Sequence, residues 1–235
     1  MTGDRIRNLI RWKSGSGGIF RAVLTESHQS MSAPFLLNAI LFERGEIAVP
    51  VKLISRLHEH RRWVNQSLIE SVQMLSEAQR NQTFPIGQGS IWKSLLHLYA
   101  AEYVWLERLL GDESPVLPGD LPGELSGNQK GAGGILSFSE LKQKWAKQEQ
   151  RWIDYLEQLT AEALEELVSK RSTSSGKGSV QRTKRGDVLL HVCTHAQYTT
   201  AQVVNMLRQV GATSLPDTML ITLARKQMAE IADQD

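Results

Sequence analysis

Two histidines, His191 and His195, stand four residues apart in the stretch "LLHVCTHAQYTTAQVVNMLRQVG", residues 189–211. If that stretch is helical, the spacing puts both imidazoles on one face, one turn apart, as two ligands of a single metal ion require. On a helical wheel Leu189, Val192, Ala196, Thr199, Val203, Met206 and Val210 form the buried seam. His191 and His195 lie at its border, with Tyr198 and Gln202 beside them as pocket candidates. A third ligand must come from another helix. His97, in "LLHLYAAEYVWLERLLG", is the best candidate, because it is a lone histidine on a segment that is apolar nearly all round. Three neutral imidazoles leave a coordination position open, the arrangement of catalytic zinc rather than of closed structural sites. The competing reading of the same spacing is a pair of ordinary core or surface histidines. Cys193 points roughly 160° away from His195 on the wheel and reads as a small core residue.

The elements that must position these residues are helical. The first helix is expected over residues 51–79, with Leu53, Leu57, His60, Val64, Leu68, Val72 and Leu75 on its inward stripe. "NQTFPIGQG" breaks it, and Ser90 is placed to cap a second helix over residues 91–110, ended by Gly111. A Pro/Gly-rich connection follows, and Ser139 is a candidate cap for a third helix over residues 140–168. A basic loop, "SKRSTSSGKGSVQRTKRG", leads to the fourth helix, residues 187–210, and a short final helix begins at Pro216. Few segments read as strands. Four long amphipathic helices with one long connection predict an all-α fold: a four-helix bundle with a long crossover loop and a short C-terminal helix.

The bulk composition excludes several classes. The 235 residues suit one domain, and 41% hydrophobic with 22% charged residues is ordinary for a soluble chain. A net charge of +2 lacks the basic bias of a nucleic-acid binder. One cysteine excludes an internal disulfide framework and fits a reducing, cytoplasmic setting. The longest apolar runs, such as "PFLLNAILF" (residues 34–42), are too short to span a membrane. Residues 1–50 read as a leader outside the bundle of 51–235. Arg5, Arg7, Arg11, Lys13 and Arg21 give residues 1–30 a transit-like composition, so organelle import is the alternative to a poorly ordered terminus or a true start at Met31.

Three stretches in order carry a family resemblance. "HEHRRWVNQSLIE" is similar to an aromatic-x-Asn segment, and "GSIWKSLLHLYAAEYVWLERLLG" sets a histidine a few residues into a helix, followed by an acidic residue and an aromatic. "HVCTHAQYTTAQVVNMLRQVG" looks like an H-x3-H-x2-H-H-R-G-Q segment with its apolar run, Leu-Arg and Gly. Together they resemble the DinB/YfiT-like superfamily of metal-binding four-helix bundles, from about Val51 to Arg225. The resemblance implies a divalent ion, Zn²⁺ or Ni²⁺, on His97, His191 and His195. It also implies thiol-dependent transferase or isomerase chemistry for some members, and hydrolysis is equally compatible with the residues. A small-molecule substrate is expected, a low-molecular-weight thiol among the candidates, and a homodimer is plausible from the family. The other reading is a non-catalytic metal- or ligand-binding stress-response protein whose site only stabilises the bundle. One departure stands out: Tyr198, Thr199, Thr200 and Ala201 replace His-His-Arg-Gly, and only Gln202 is kept. A threonine cannot make the bidentate charged contact of an arginine, so substrate preference is where this chain departs.

Two further groups invite chemistry. Glu102 falls in the middle of the apolar arc of its helix, where a carboxylate needs a partner or a raised pKa. It reads either as an orienter of a ligand histidine or proton-transfer group, or as a structural hydrogen bond to another helix. His60 lies on the inward stripe as Glu102's partner or as pocket lining, and His58 is expected to be solvated. The acid-free basic segment 170–185 would steer anions toward the start of the fourth helix, or be a solvated loop. The tryptophans at 63, 92, 105, 145 and 152 read as core and pocket wall.

Overall fold

In the computed structural model, residues 50–171 and 178–233 are described; the reading of residues 1–50 as a leader falls outside them. Seven helices and one small hairpin are present among the described residues: α1 (Val51–Gln73), α2 (Glu77–Asn81), α3 (Ile91–Leu109), α4 (Phe138–Glu157), α5 (Ala161–Glu165), β1 (Leu167–Arg171), β2 (Val180–Lys184), α6 (Arg185–Gln209) and α7 (Leu220–Ala232). The long helices α1, α3, α4 and α6 form a four-helix bundle, in which α6 packs on both α1 and α3, and α4 packs on the same two. None of the helices is long and apolar enough to cross a membrane.

Local chemistry sets the boundaries. Ser90 Oγ accepts from Lys93 N at 3.2 Å and starts α3; Gly111, at φ +107, follows its end. The cap of α4 is Ser137, whose hydroxyl accepts from Glu140 N at 3.1 Å, rather than Ser139. The first helix stops at Gln73 because Ser76 opens a new helix with a reciprocal capping box to Gln79. The expected third helix likewise ends early, at Glu157, because Thr160 caps the separate turn α5.

The one strand pairing among the described residues is the antiparallel β1–β2 hairpin, which pairs Val168 with Thr183 and Lys170 with Gln181. "LVSKR" and "VQRTK" carry too few apolar residues to signal a strand. Their ladder is held by backbone bonds and by one buried anchor, Val168, so the pattern is quiet where the structure is regular.

The core has three levels. One apolar cluster gathers Leu68, Val72, Leu95, Leu98, Trp145, Val203 and Met206. The other gathers Ile54, Leu106, Leu109, Trp152, Val188, Leu189 and Val192. Between them each long helix presents a non-aliphatic group at mid-length: Arg61 and Asn65 on α1, Glu102 on α3, Gln148 and Glu149 on α4, and Cys193 on α6. The order in which each helix crosses these levels gives its direction. α1 and α6 run one way, α3 and α4 the other. Two parallel helices in succession require a long return connection, which is the crossover of residues 110–137.

The polar level is an ion-pair layer. Arg61, 2% exposed, meets Glu102 Oε2 at 2.5 Å and forks onto Glu149 at 3.1 and 2.7 Å. Asn65 Nδ2 donates to Glu102 and Glu149, and Trp145 Nε1 donates to Glu102. Burial works against the Arg61 charge, but the two carboxylates hold its pKa above the ordinary guanidinium value. Burial, reinforced by the charge of Glu149, raises the Glu102 pKa against the pull of Arg61.

His58 is the clearest reversal on α1. Instead of being solvated it is 2% exposed, with Nε2 bonded to the Leu189 carbonyl at 3.2 Å and its ring 5.0 Å from that of Trp152. Burial first, then the charge of Arg61, lowers its pKa to about 3. The buried track of α1 runs Ile54, His58, Arg61, Asn65, Leu68 and Val72, one position over from the expected stripe at its N-terminal end, where Leu53 is 50% exposed.

Two outcomes follow. Arg61→Met leaves the buried Glu102 and the part-buried Glu149 without their cation, so urea unfolding at pH 7 is expected to show a loss of about 3–5 kcal/mol. For His58 the unfolded chain takes up a proton below pH 6.5 that the folded chain refuses until about pH 3. Its stabilising contribution is therefore complete above pH 6.5 and lost as pH falls through that window, with a slope approaching ~1.4 kcal/mol per pH unit. His58→Gln is expected to lessen the acid sensitivity of metal-free protein by that slope, and an unchanged slope would refute the assignment.

Candidate metal centre

Where α3 meets α6, His97 and His195 face each other with Nε2 to Nε2 at 3.2 Å and ring centroids 5.2 Å apart. The tautomer of His97 is decided by its other nitrogen. Nδ1 lies 2.9 Å from the Ser126 carbonyl oxygen, which can only accept, so Nδ1 carries the proton and Nε2 presents its lone pair toward His195. A carbonyl behind a ligand histidine is the usual device for fixing ring orientation and basicity.

That carbonyl comes from the crossover. Asp120 gathers the loop through hydrogen bonds from Gly127 N at 2.7 Å and Gln129 N at 2.9 Å. Gly127, at φ +87, lies so close to α3 that a Cβ there would meet His97 N and Cα at 2.7 Å. Only glycine permits both that φ and that approach. Ser126, Gly127 and Asp120 thus join the site, although the sequence signal for them was only a Pro/Gly-rich connection.

The donor set fits a divalent cation. Two imidazole nitrogens each ~2.0–2.1 Å from a tetrahedral zinc ion stand about 3.3 Å apart, close to the observed 3.2 Å. Burial, then the neighbouring His97 and His191, lowers the His195 pKa to about 4. Burial, then Lys170, lowers that of His191. Both rings are therefore neutral at pH 7, as ligands must be. His191 is less advanced: its ring lies 5.8 Å from that of His195 and packs T-shaped against Trp105 at 5.2 Å. Among the described residues no three His, Cys, Asp or Glu side chains are already drawn together as a complete ligand set. The arrangement is a close pair with a third imidazole one helical turn away.

The remaining candidates lie elsewhere. Glu102 is committed to Arg61, Asn65 and Trp145, and has no hydrogen bond to the three histidines. Its geometry is that of the structural bond between helices. His60 bonds the Thr218 carbonyl at 3.0 Å and Gln197 at 3.3 Å, not Glu102. It lines a recess of ≈ 210 Å³ with Leu57, Arg61, Cys193, Thr194 and Gln197, away from His97. Tyr198 is 69% exposed, and Gln202 packs against Gly87 of the loop before α3. Cys193 is buried, and burial raises its thiol to about 12. A second recess, ≈ 480 Å³, runs between α1 and α4 over His58, Arg61 and Trp152, and none of the three histidines lines it. The recesses and the donor chemistry point to different places, and it is at His97 and His195 that two imidazole nitrogens converge at ligand spacing.

Comparison with known proteins places this geometry in context. The chain is 24% identical over 164 residues to Protein DinB of Bacillus subtilis (strain 168), covering 68% of this chain and 88% of that protein. Its fold is similar to YfiT from Bacillus subtilis, described as a probable metal-dependent hydrolase with an unusual four-helix bundle topology. The TM-score is 0.55 at 14% identity, over 72% of this chain and 93% of YfiT. A DinB-like protein from Bacillus cereus aligns at TM-score 0.48 and 14% identity, over 67% of this chain and 92% of that one. The DinB superfamily model matches residues 61–203, which contain all three histidines and the buried ion-pair layer, and the chain belongs to that superfamily.

Proposed function

We propose that this protein is a metal-dependent enzyme, a hydrolase or thiol transferase acting on a small molecule, with a divalent ion held by His97, His191 and His195. The observation that carries the reading is the His97–His195 pair: two imidazole nitrogens at ligand spacing, with the tautomer of His97 fixed by the Ser126 carbonyl. The description of YfiT as a probable metal-dependent hydrolase supports it. Zn²⁺ and Ni²⁺ both suit an all-imidazole set. When bound, such an ion supplies Lewis acidity toward a fourth ligand from solvent or substrate.

The chain's own residues have separate tasks. Ser126 orients His97, and Gly127 lets the loop come close enough to do so. Burial keeps His195 unprotonated through neutral pH. Trp105 walls the outer side beside His191. Glu102, locked under Arg61, keeps its carboxylate out of the reaction and holds α3 against α1 and α4. The alternative, a metal that only stabilises the bundle, needs no open position; the half-exposed flank of the site at His191 favours the catalytic reading.

Metal analysis of purified protein is expected to give one divalent ion per chain, lost in His195→Ala and His97→Ala. A wild-type protein that binds none at saturating Zn²⁺ or Ni²⁺ would sink the proposal. Metal-loaded protein turning over ester, amide or thiol-plus-electrophile substrates supports the enzyme. Inertness throughout, with a large metal-dependent rise in Tm, supports the structural alternative. Gly127→Ala is expected to weaken metal affinity by about 10–100-fold through loss of the Ser126 bond, while leaving the helical circular dichroism unchanged.

A further inference from the structure

Lys170 occupies an unusual position for a lysine. On β1 it shares the inward face with Val168, two residues away, and Val168 is buried in the core, so the strand register turns Lys170 toward the bundle. Its ammonium stands 4.0 Å from the centroid of Trp105, the same ring that packs against His191. Among the described residues it has no carboxylate partner: the ion pairs of the hairpin region are made by Lys184 and Arg185 instead. Burial, then the charge of Arg108, lowers the Lys170 pKa.

Arg108 is also underused. It is 3% exposed, Nη1 donates to the Asp112 carbonyl at 2.8 Å, and Nε has no partner. Asp112 and Glu113 act on it electrostatically but are exposed and form no salt bridge with it. Two partly desolvated cations therefore act on each other, and Lys170 lies one aromatic ring from His191. The charges of Glu113 and Asp112 favour the Arg108 cation, while Lys170 has the face of Trp105 against it and, among the described residues, no carboxylate.

We propose that Lys170, with Arg108 behind it, is the subsite for an oxyanion group of the substrate: a carboxylate, sulfonate or phosphate carried a few bonds from the atom that ligates the metal. This rests on the metal-site reading above and adds the substrate's charge class to it. Lys170 is a binding and specificity residue, with Trp105 as the platform that fixes its stem. Charge-assisted hydrogen bonding to the oxyanion then offsets the repulsion between the two cations. An anion there also lies beside His191, so substrate entry and completion of the ligand set share one wall.

The test uses Co²⁺-loaded protein and two thiols of similar size, neutral 2-mercaptoethanol and anionic 2-mercaptoethanesulfonate, whose sulfonate is a poor metal ligand. Binding is read from the thiolate-to-cobalt charge-transfer band. Wild-type protein is expected to prefer the sulfonate by about tenfold or more at low salt. Lys170→Met, which keeps the stem on Trp105, is expected to remove that preference while leaving Co²⁺ stoichiometry and 2-mercaptoethanol affinity unchanged. Lys170→Arg is expected to keep it. Equal affinity for the two thiols in wild type, or a preference that survives Lys170→Met, overturns the subsite but leaves the metal centre standing. Failure of wild type to bind Co²⁺ overturns the metal centre and the subsite together. Should Lys170→Met lose Co²⁺ stoichiometry, equal preference in wild type and Lys170→Arg at matched metal loading supports the charge requirement, and lost preference in Lys170→Arg overturns it.

Discussion

One buried arginine organises this bundle. Arg61 is clamped between Glu102 and Glu149, so α1, α3 and α4 are joined at mid-length by charge rather than by shape alone. Aliphatic side chains can slide past one another by a turn at modest cost. A guanidinium bonded to two carboxylates cannot, because a displaced partner leaves an unpaired charge in a dry interior. The apolar clusters above and below supply the bulk of the burial, and the ion-pair layer fixes the register in which they meet.

That register reaches the histidines. Glu102 lies five residues after His97 on α3, and Cys193, packed at the same level, lies two residues before His195 on α6. Setting the heights of the helices therefore sets the heights of the imidazoles, and the 3.2 Å approach of their Nε2 atoms follows from core packing. The layer is not part of the chemistry, yet it determines where the chemistry can be.

Much of this was legible in the sequence, and the gaps have physical causes. The seam of α6 from Leu189 to Met206 is buried as its periodicity indicates, because it is a clean apolar track. The track of α1 was misplaced because its true buried positions include His58, Arg61 and Asn65, which a search for apolarity passes over. The clue was their 4, 3, 4 spacing from Ile54. The hairpin was unreadable because five-residue strands with a single core anchor leave almost no pattern. Ser126 was invisible for a different reason: it acts through a backbone carbonyl, which every residue type possesses. Tyr198 shows the limit of wheel arguments, since the border of a buried arc does not say whether a neighbouring element covers it.

The crossover has a consequence for how the site behaves in time. The peptide that holds the proton of His97 in place belongs to a segment anchored in the core at both ends, by Leu117 and Ile135, and held between them by Asp120 and the contact of Gly127 with α3. Were that segment to lift from α3, His97 would be free to exchange tautomers and its lone pair would no longer be held toward His195. Ligand readiness and loop closure are then one equilibrium, and by linkage whatever binds the imidazoles must also quiet the loop. A part of the chain with no proposed ligand of its own would then report whether the proposed metal site is filled.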